Sequence, residues 1–289
     1  MTTRLRASAV CRVEGQLLVV RLRDPVSGDE AMYPPGGAVE PGESPGAAAA
    51  RETLEETGLR VRVDEASARV ERYPFRWAGD DYDVTTHYFF VDLAEPFTET
   101  LPKVEDAVYN LGAAWFAVSD ALEAMPTIIA APVATMLRER NYAAWRAHPN
   151  IGGPAGTLLA IHGQFRVASR RLLTLFADGT ASDLPQIHRA FAPLAETLHH
   201  HHHAEEAMLF PMFETPQRLI DDHGTLTHAI SSLEQNLSAD IDRAREAAKT
   251  FDHVLLTHLD REEEVVVPRL LSMTTQEAWR RIHGDFAAD

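Results

Sequence analysis

Two different patterns of apolar and polar positions divide the chain. Up to about residue 120, runs rich in β-branched and aromatic residues alternate with turn residues. Beyond residue 156 the strand signals stop and apolar residues recur at helical spacing. The first pattern predicts strands over 4–13, 16–23, 59–73, 85–92 and 113–118, with Glu14-Gly15 suited to a hairpin turn. It also predicts helices over 45–57 and 132–145. The second pattern predicts helices over 157–177, 185–213, 217–237 and 239–271, then a short tail helix ending near His283. Between the two lies a glycine- and proline-bearing segment, 149–156, that reads as a linker. The division expected is a domain over 1–149, a linker over 150–156 and a helical domain over 157–289. A chain of 289 residues is long enough for two such cores.

Composition narrows the setting. Apolar residues make up 45% of the chain, and no run approaches the roughly 18 residues of a membrane span. Cys11 is the single cysteine, so an intrachain disulfide is excluded and a reducing cytoplasm is the expected location. The N-terminal sequence lacks the apolar stretch of a signal peptide. A net charge of −16 argues against nucleic acid or an anionic membrane as partner. A nucleotide-type small molecule stays open because a metal ion can screen its charge. The oligomeric state is open as well, a homodimer included.

Residues 37–59 read GAVEPGESPGAAAARETLEETGL, and their chemistry is legible piece by piece. Ser44 suits a helix N-cap, Pro45 the first turn, the alanines 47–50 the helix interior, and Gly58 a left-handed stop. On that helix Glu52, Glu55 and Glu56 sit at i, i+3 and i+4, so three carboxylates share one face. Acidic helix faces are common on solvated surfaces, but here the whole loop–helix–glycine spacing is present. A hard divalent cation, Mg²⁺ or Mn²⁺, relieves the repulsion and also binds phosphate oxygens. Gly36 and Gly37 leave room for close backbone approach, and Arg51 can pair with Glu43 and pin the loop. The segment resembles the signature of the Nudix hydrolases at Gly37, Glu43 and 51–59, with Thr53 where the family has an aliphatic residue. Thr is close to Val in size, so no loss of chemistry is expected from it. The resemblance implies an α/β sandwich with a mixed sheet and metal-assisted hydrolysis of a nucleoside diphosphate linked to a group X. It also implies a catalytic set of Glu52, Glu55, Glu56, Arg51 and Glu43, with Gly36 and Gly37 at the substrate. Glu105 is a further candidate ligand or base, though a surface carboxylate is the simpler reading. Trp77, Tyr82 and Tyr109 could equally stack on a base or serve packing.

The helical half holds twelve of the fourteen histidines. Two segments repeat one pattern: His201-x3-Glu205-x5-Pro211 and His258-x3-Glu262-x5-Pro268. Each His–Glu pair lies one turn apart on a face continued by apolar residues. For the first pair these are Leu194, Leu198, Met208, Leu209 and Met212, so the pair should point inward. His162 and His223 are in phase with the apolar faces of the other two helices, that of His223 including Ile220 and Leu226. Buried carboxylates are costly unless paired or metal-bound, and four-helix bundles build di-iron sites from such residues. Buried, hydrogen-bonded pairs are the metal-free reading. Of the run 199–203, His201 is the best ligand by phase, with His202 second through its own pair Glu206. The arrangement resembles the hemerythrin-like HHE domain, which implies an up-down four-helix bundle holding two iron ions through His162, His201, Glu205, His223, His258 and Glu262. It departs from the oxygen carriers at Thr227, where they have a fifth histidine; His228 looks solvated.

The combined expectation is a pyrophosphohydrolase joined to a di-iron bundle that senses iron or oxygen. The competing class is an iron sensor or binding protein in which hydrolysis is secondary or lost. The sequence leaves the substrate and the choice of base between Glu52 and Glu56 open.

Overall fold

A computed structural model describes residues 2–102, 109–177, 179–213 and 217–283. Glu105 lies outside them. The chain divides into two compact units, Met1–Arg140 and Asn141–Asp289. This departs from the boundary expected at 149–157, because the segment read as a linker is folded into the second unit. Asn150 Nδ2 donates to Leu271 O at 2.9 Å, Ile151 joins an apolar cluster, and Pro154 already begins a helix. Gly152 and Gly153 lie in a turn and Gly156 lies within the helix.

The first unit is built on strands β1 (Thr2–Val13), β2 (Gln16–Arg23), β3 (Glu30–Tyr33), β4 (Gly36–Ala38), β5 (Val61–Val63), β6 (Arg69–Trp77), β7 (Asp80–Leu93) and β8 (Asn110–Ala117). β1 runs parallel to β7 and antiparallel to β2 and β4, so the sheet is mixed. The far end of β1 turns into β2 through Glu14 and Gly15, both at positive φ, as a two-residue hairpin of matching twist requires. Buried Val10, Leu17, Val19 and Tyr88 form one core, and Ala7, Ala9, Leu18 and Phe89 another. Alternate residues of the same strands thus serve opposite faces, the period-two signal of the sequence. The pattern missed β3 and β4, which are too short to show a period. It also ran β5 and β6 together across a short 3₁₀ turn at Glu65–Ser67, which Asp64 starts by accepting the Ala66 N–H. Helix α1 (Pro45–Thr57) covers one face; α2 (Val118–Glu123) and α3 (Thr127–Arg146) follow the last strand.

The second unit is a four-helix bundle of α4 (Pro154–Ala177), α5 (Leu184–Ala204), α6 (Gln217–Leu237) and α7 (Ile241–Leu271), followed by α8 (Thr275–His283). Each bundle helix packs on its neighbours in sequence, and α4 closes on α7. Phe165, Leu198, Leu226, Phe251 and Leu255 belong to one apolar layer, and Leu158, Phe210, Leu219 and Val266 to another. The polar positions predicted to face inward lie in the same helices between these residues.

One expectation failed for an identifiable reason. The second helix does not run unbroken over 185–213. After α5 the backbone widens into a π turn, Glu205–Leu209, and then tightens to 3₁₀ at Phe210–Met212. A π turn holds an extra residue, so the phase slips by one position. Leu209 and Phe210 are buried while Met208, expected inward, is exposed. Ile220, also placed on the apolar face, is exposed at the start of α6. Among the described residues, no helix is long and apolar enough to cross a membrane.

Candidate metal centres

The loop and helix carrying the three glutamates are set by local sequence. Ser44 caps α1 by accepting the Ala47 N–H, Pro45 opens it, and Gly58 closes it at φ +73° with its N–H on Leu54 O. Arg51 sits at the centre of the acidic group. Its Nε and Nη2 donate to the two oxygens of Glu43 at 2.9 and 3.1 Å. Its Nη1 reaches Glu52 at 2.9 Å and Glu55 at 3.0 Å, and Nη2 also donates to Ala38 O at 2.9 Å. One guanidinium therefore ties the loop, the β4 strand end and the helix together. Glu56 accepts the Gly36 N–H at 2.8 Å. Gly36 O in turn accepts from Arg6 at 2.8 Å. Gly37 is required by space, since a Cβ there would come within 2.2 Å of Glu52 Oε1. Thr53 is fully buried with its hydroxyl donating to Ala49 O at 2.7 Å, which satisfies the polar atom and leaves the site untouched. Burial raises the proton affinity of Glu52 above the ordinary carboxylate value, and Arg51 opposes the rise.

Gly37→Ala is expected to displace the Glu52 carboxylate and reduce hydrolysis. Comparing kcat of the two proteins checks this, with circular dichroism confirming that the fold is retained.

Beside this loop, Arg6, Tyr33, Phe75 and Trp77 line a cleft of the same domain. The Phe75 and Trp77 rings stack at 6.5 Å with Tyr33 edge-on to both, and Tyr109 meets Trp77 edge-on at 6.1 Å. Trp77 and Tyr109 thus belong to one aromatic group. Tyr82 is buried in the apolar cluster against which these rings pack, with Arg4 over its own ring at 3.7 Å.

The bundle gathers all six residues expected there, and a seventh. His162, His201, Glu205 and Glu262 place one ligand atom each within 4.8 Å of one another, and so do His202, His223 and His258. The two carboxylates reach both groups. Glu205 Oε1 lies 2.7 Å from His201 Nε2, and its Oε2 lies 3.5 Å from His223 Nε2. Glu262 Oε2 lies 3.4 Å from His162 Nε2 and 3.5 Å from His258 Nε2.

His202 does not pair with Glu206 as the helical phase suggested. Its ring stacks on His223 at 4.0 Å, and Glu206 lies 2.7 Å from His223 Nδ1 instead. The π turn begins at Glu205, just before Glu206, whereas His202 precedes it in regular helix. Burial, with His223 and His258 alongside, pushes the His202 pKa down to about 2, so the ring is the neutral form that ligates metals. Burial opposes a proton on His162, but Glu262, Glu205 and Glu263 outweigh it and hold the pKa well above the usual value. Burial likewise opposes charge on Glu205, and contacts with His162, His201 and His223 reverse that, keeping its carboxyl ionised.

A test of fit to metal ions comes from polar atoms that nothing else satisfies. His202 Nε2, His223 Nε2, His258 Nε2 and both oxygens of Glu262 are buried without a hydrogen-bond partner. Such atoms are costly in an apolar core, and each is a ligand atom aimed at its own cluster. The donor set suits a pair of first-row divalent or trivalent ions.

The outer supports were invisible to the repeat pattern. Glu263 Oε1 lies 2.9 Å from His162 Nδ1 and accepts from Tyr142 Oη at 3.0 Å and from Arg166 Nη1 at 2.6 Å. Asp222 pairs with Arg261 and lies 3.8 Å from His258 Nδ1. Carboxylates behind ligating histidines fix ring orientation. The sequence signal available was their adjacency, Glu263 to Glu262 and Asp222 to His223. Thr227 is exposed with its hydroxyl on His223 O, and His228 is exposed with Nδ1 on Gly224 O.

Glu263 also makes a pH prediction for the metal-free bundle. Burial raises its pKa, but His162 and Arg166 more than offset this, and the folded value lies below the unfolded one. Its pairing therefore stabilises the fold above the unfolded pKa of about 4.3 and is lost as pH falls through the folded value. A thermal-melt series should show Tm falling below about pH 4, and less steeply in Glu263→Gln.

These two domains define a class: a mixed-sheet domain with an Arg-clamped glutamate helix, joined to a bundle with converging His and Glu. The NUDIX domain model matches residues 2–137, and the Hemerythrin HHE cation binding domain model matches residues 153–270. A MutT-like protein of Streptomyces ambofaciens is 46% identical over 59 residues, 20% of this chain and 36% of that protein. The chain thus spans about a third of that relative. Among solved structures, a NUDIX hydrolase from Nitrosomonas europaea is 22% identical, with 48% of this chain and 90% of that one covered at a TM-score of 0.37. A C. elegans Ap4A hydrolase is also 22% identical, over 51% of this chain and 98% of that one, at a TM-score of 0.35.

Proposed function

We propose that the first domain hydrolyses the phosphoanhydride bond of a nucleoside diphosphate linked to X, using Mg²⁺ or Mn²⁺ held by Glu52, Glu55 and Glu56. The observation that carries this reading is the Arg51 clamp, which gathers Glu43, Glu52 and Glu55 around one guanidinium beside the Gly36–Gly37 backbone. The cation, when bound, supplies charge neutralisation of the diphosphate and a more acidic water. Glu52 is the general base of the pair Glu52 and Glu56, since its carboxylate is half-buried with raised proton affinity while Glu56 is engaged by the Gly36 N–H. Arg51 and Glu43 hold the loop that presents Gly36 and Gly37 to the substrate phosphates. The aromatic group of Tyr33, Phe75 and Trp77 receives the base of the nucleotide, an apolar slot with Arg6 at its edge. The bundle would hold two iron ions through His162, His201, Glu205, His223, His258 and Glu262, which would supply a site responsive to iron or oxygen.

The test is a panel of dinucleotides, sugar nucleotides, ADP-ribose and nucleoside triphosphates with Mg²⁺, alongside metal analysis of the full chain. Release of a nucleoside monophosphate or pyrophosphate from one class supports the hydrolase. Two iron ions per chain with no turnover on any class favours the binding-protein reading.

A further inference from the structure

Four residues after His223, helix α6 carries Thr227, exposed and with its hydroxyl on His223 O. That helix therefore offers the second cluster a single imidazole. We propose that His202, from the neighbouring helix α5, supplies the missing one. The second metal position is then His202, His223 and His258, drawn from three helices, and the adjacent pair His201–His202 is divided between the two positions. This rests on the dinuclear reading of the bundle.

The local geometry explains how two consecutive histidines both turn inward. Neighbours on a helix point about 100° apart. His201 leans toward α4, its ring 5.2 Å from that of His162 and 5.0 Å from Phe165. His202 leans toward α6 and α7, its ring 4.0 Å from His223 and 5.3 Å from His258. Glu205 follows His201 by four residues and His202 by three, so it stands on the face between them. Its two oxygens accordingly face His201 on one side and His223 on the other. The π turn begins at Glu205, and its wider backbone keeps this residue inward while rotating Glu206 out toward His223 Nδ1.

A packing role for His202 would leave its Nε2 with an ordinary partner or in water. It has neither: the ring is 6% exposed and Nε2 is buried with no hydrogen bond. The exposed neighbours His199, His200 and His203 show what the rest of the run does, and they serve as internal controls. The donor sets also differ. One position offers two imidazoles and two carboxylates, the other three imidazoles plus the shared carboxylates. The two positions should therefore be spectroscopically distinct and fill in sequence.

Cobalt(II) titration of the metal-free full chain reads this directly, because its visible absorption reports each position separately. Wild type should bind two equivalents with two distinguishable band sets, and His203→Ala should match it. His202→Ala should keep one equivalent with the bands of the His162, His201, Glu205 and Glu262 position. The second equivalent should weaken by about 100-fold or more, at or beyond the usual cost of losing even an outer-shell partner. Added imidazole should restore it by filling the vacated space. His202→Gln, which keeps volume, guards against misfolding, with circular dichroism as the check. Two equivalents with wild-type affinity and bands in folded His202→Gln would overturn the assignment. Loss of both ions there would overturn it too, by making His202 a support of the whole bundle. A wild-type chain that binds fewer than two ions would instead remove the dinuclear reading itself.

Discussion

Glu56→Gln should lower kcat for the best nucleotide substrate by about 100- to 1,000-fold, the scale on which general bases and metal-holding carboxylates act. The fold should survive. Glu56 accepts a hydrogen bond from the Gly36 N–H at 2.8 Å, and an amide oxygen can accept it too, more weakly. What the substitution removes is the charge. KM should change little if Glu56 acts on the ion and water, and should rise if it only shapes the loop. Glu52→Gln is the companion variant. Its carboxylate lies against Gly37, and the amide keeps that shape while losing basicity. A steady-state comparison of both variants over several Mg²⁺ concentrations separates the roles. Excess Mg²⁺ rescues a weakened ligand and leaves a missing base unrescued. Near wild-type turnover in either variant at all Mg²⁺ concentrations would remove that residue from the catalytic set.

The second large effect concerns the bundle. His201→Ala combined with His258→Ala should abolish iron loading, because one ligand is lost from each cluster. Each change also strips a neighbour from a buried carboxylate: Glu205 is 3% exposed and Glu262 fully buried. Breaking a buried charged pair costs about 3–5 kcal/mol, so the Tm of the second domain should fall even without metal. The readouts are iron per chain and a melt monitored with and without iron. In wild type, iron should raise Tm, since a ligand that binds only the folded state stabilises it. Full iron loading in the double variant would refute the site.

How much of this was legible beforehand differs between the two sites. At the loop and helix, nearly every functional contact is local. Ser44 caps the residue three positions on, and Arg51 bridges Glu43, Glu52 and Glu55 within one loop and two turns. Spacing alone carries such contacts. The aromatic group around Trp77 was not legible, because Tyr33, Phe75 and Tyr109 come from separate strands and a loop end that only the sheet assembles. Tyr82 looked equivalent in sequence but is buried beneath Arg4 in the core.

In the bundle, the sequence by itself determined where the helices lie and most of the residues that face inward, and hence the six residues that converge in its core. Helical periodicity couples sequence position to direction, and a repeated His–Glu pair on an apolar face has few other stable uses. Tertiary structure decided the rest. The π turn at Glu205–Leu209 shifted the phase of the residues after it and left Met208 exposed, while the packing of α6 and α7 brought His223 beside His202 and Glu206. Glu263 and Asp222 became supports of His162 and His258 only because α4 and α6 lie against α7. Such pairings join residues up to about a hundred positions apart, as His162 with Glu263. No periodicity within a single helix encodes them, because they depend on which helix faces which and on a local change in backbone pitch.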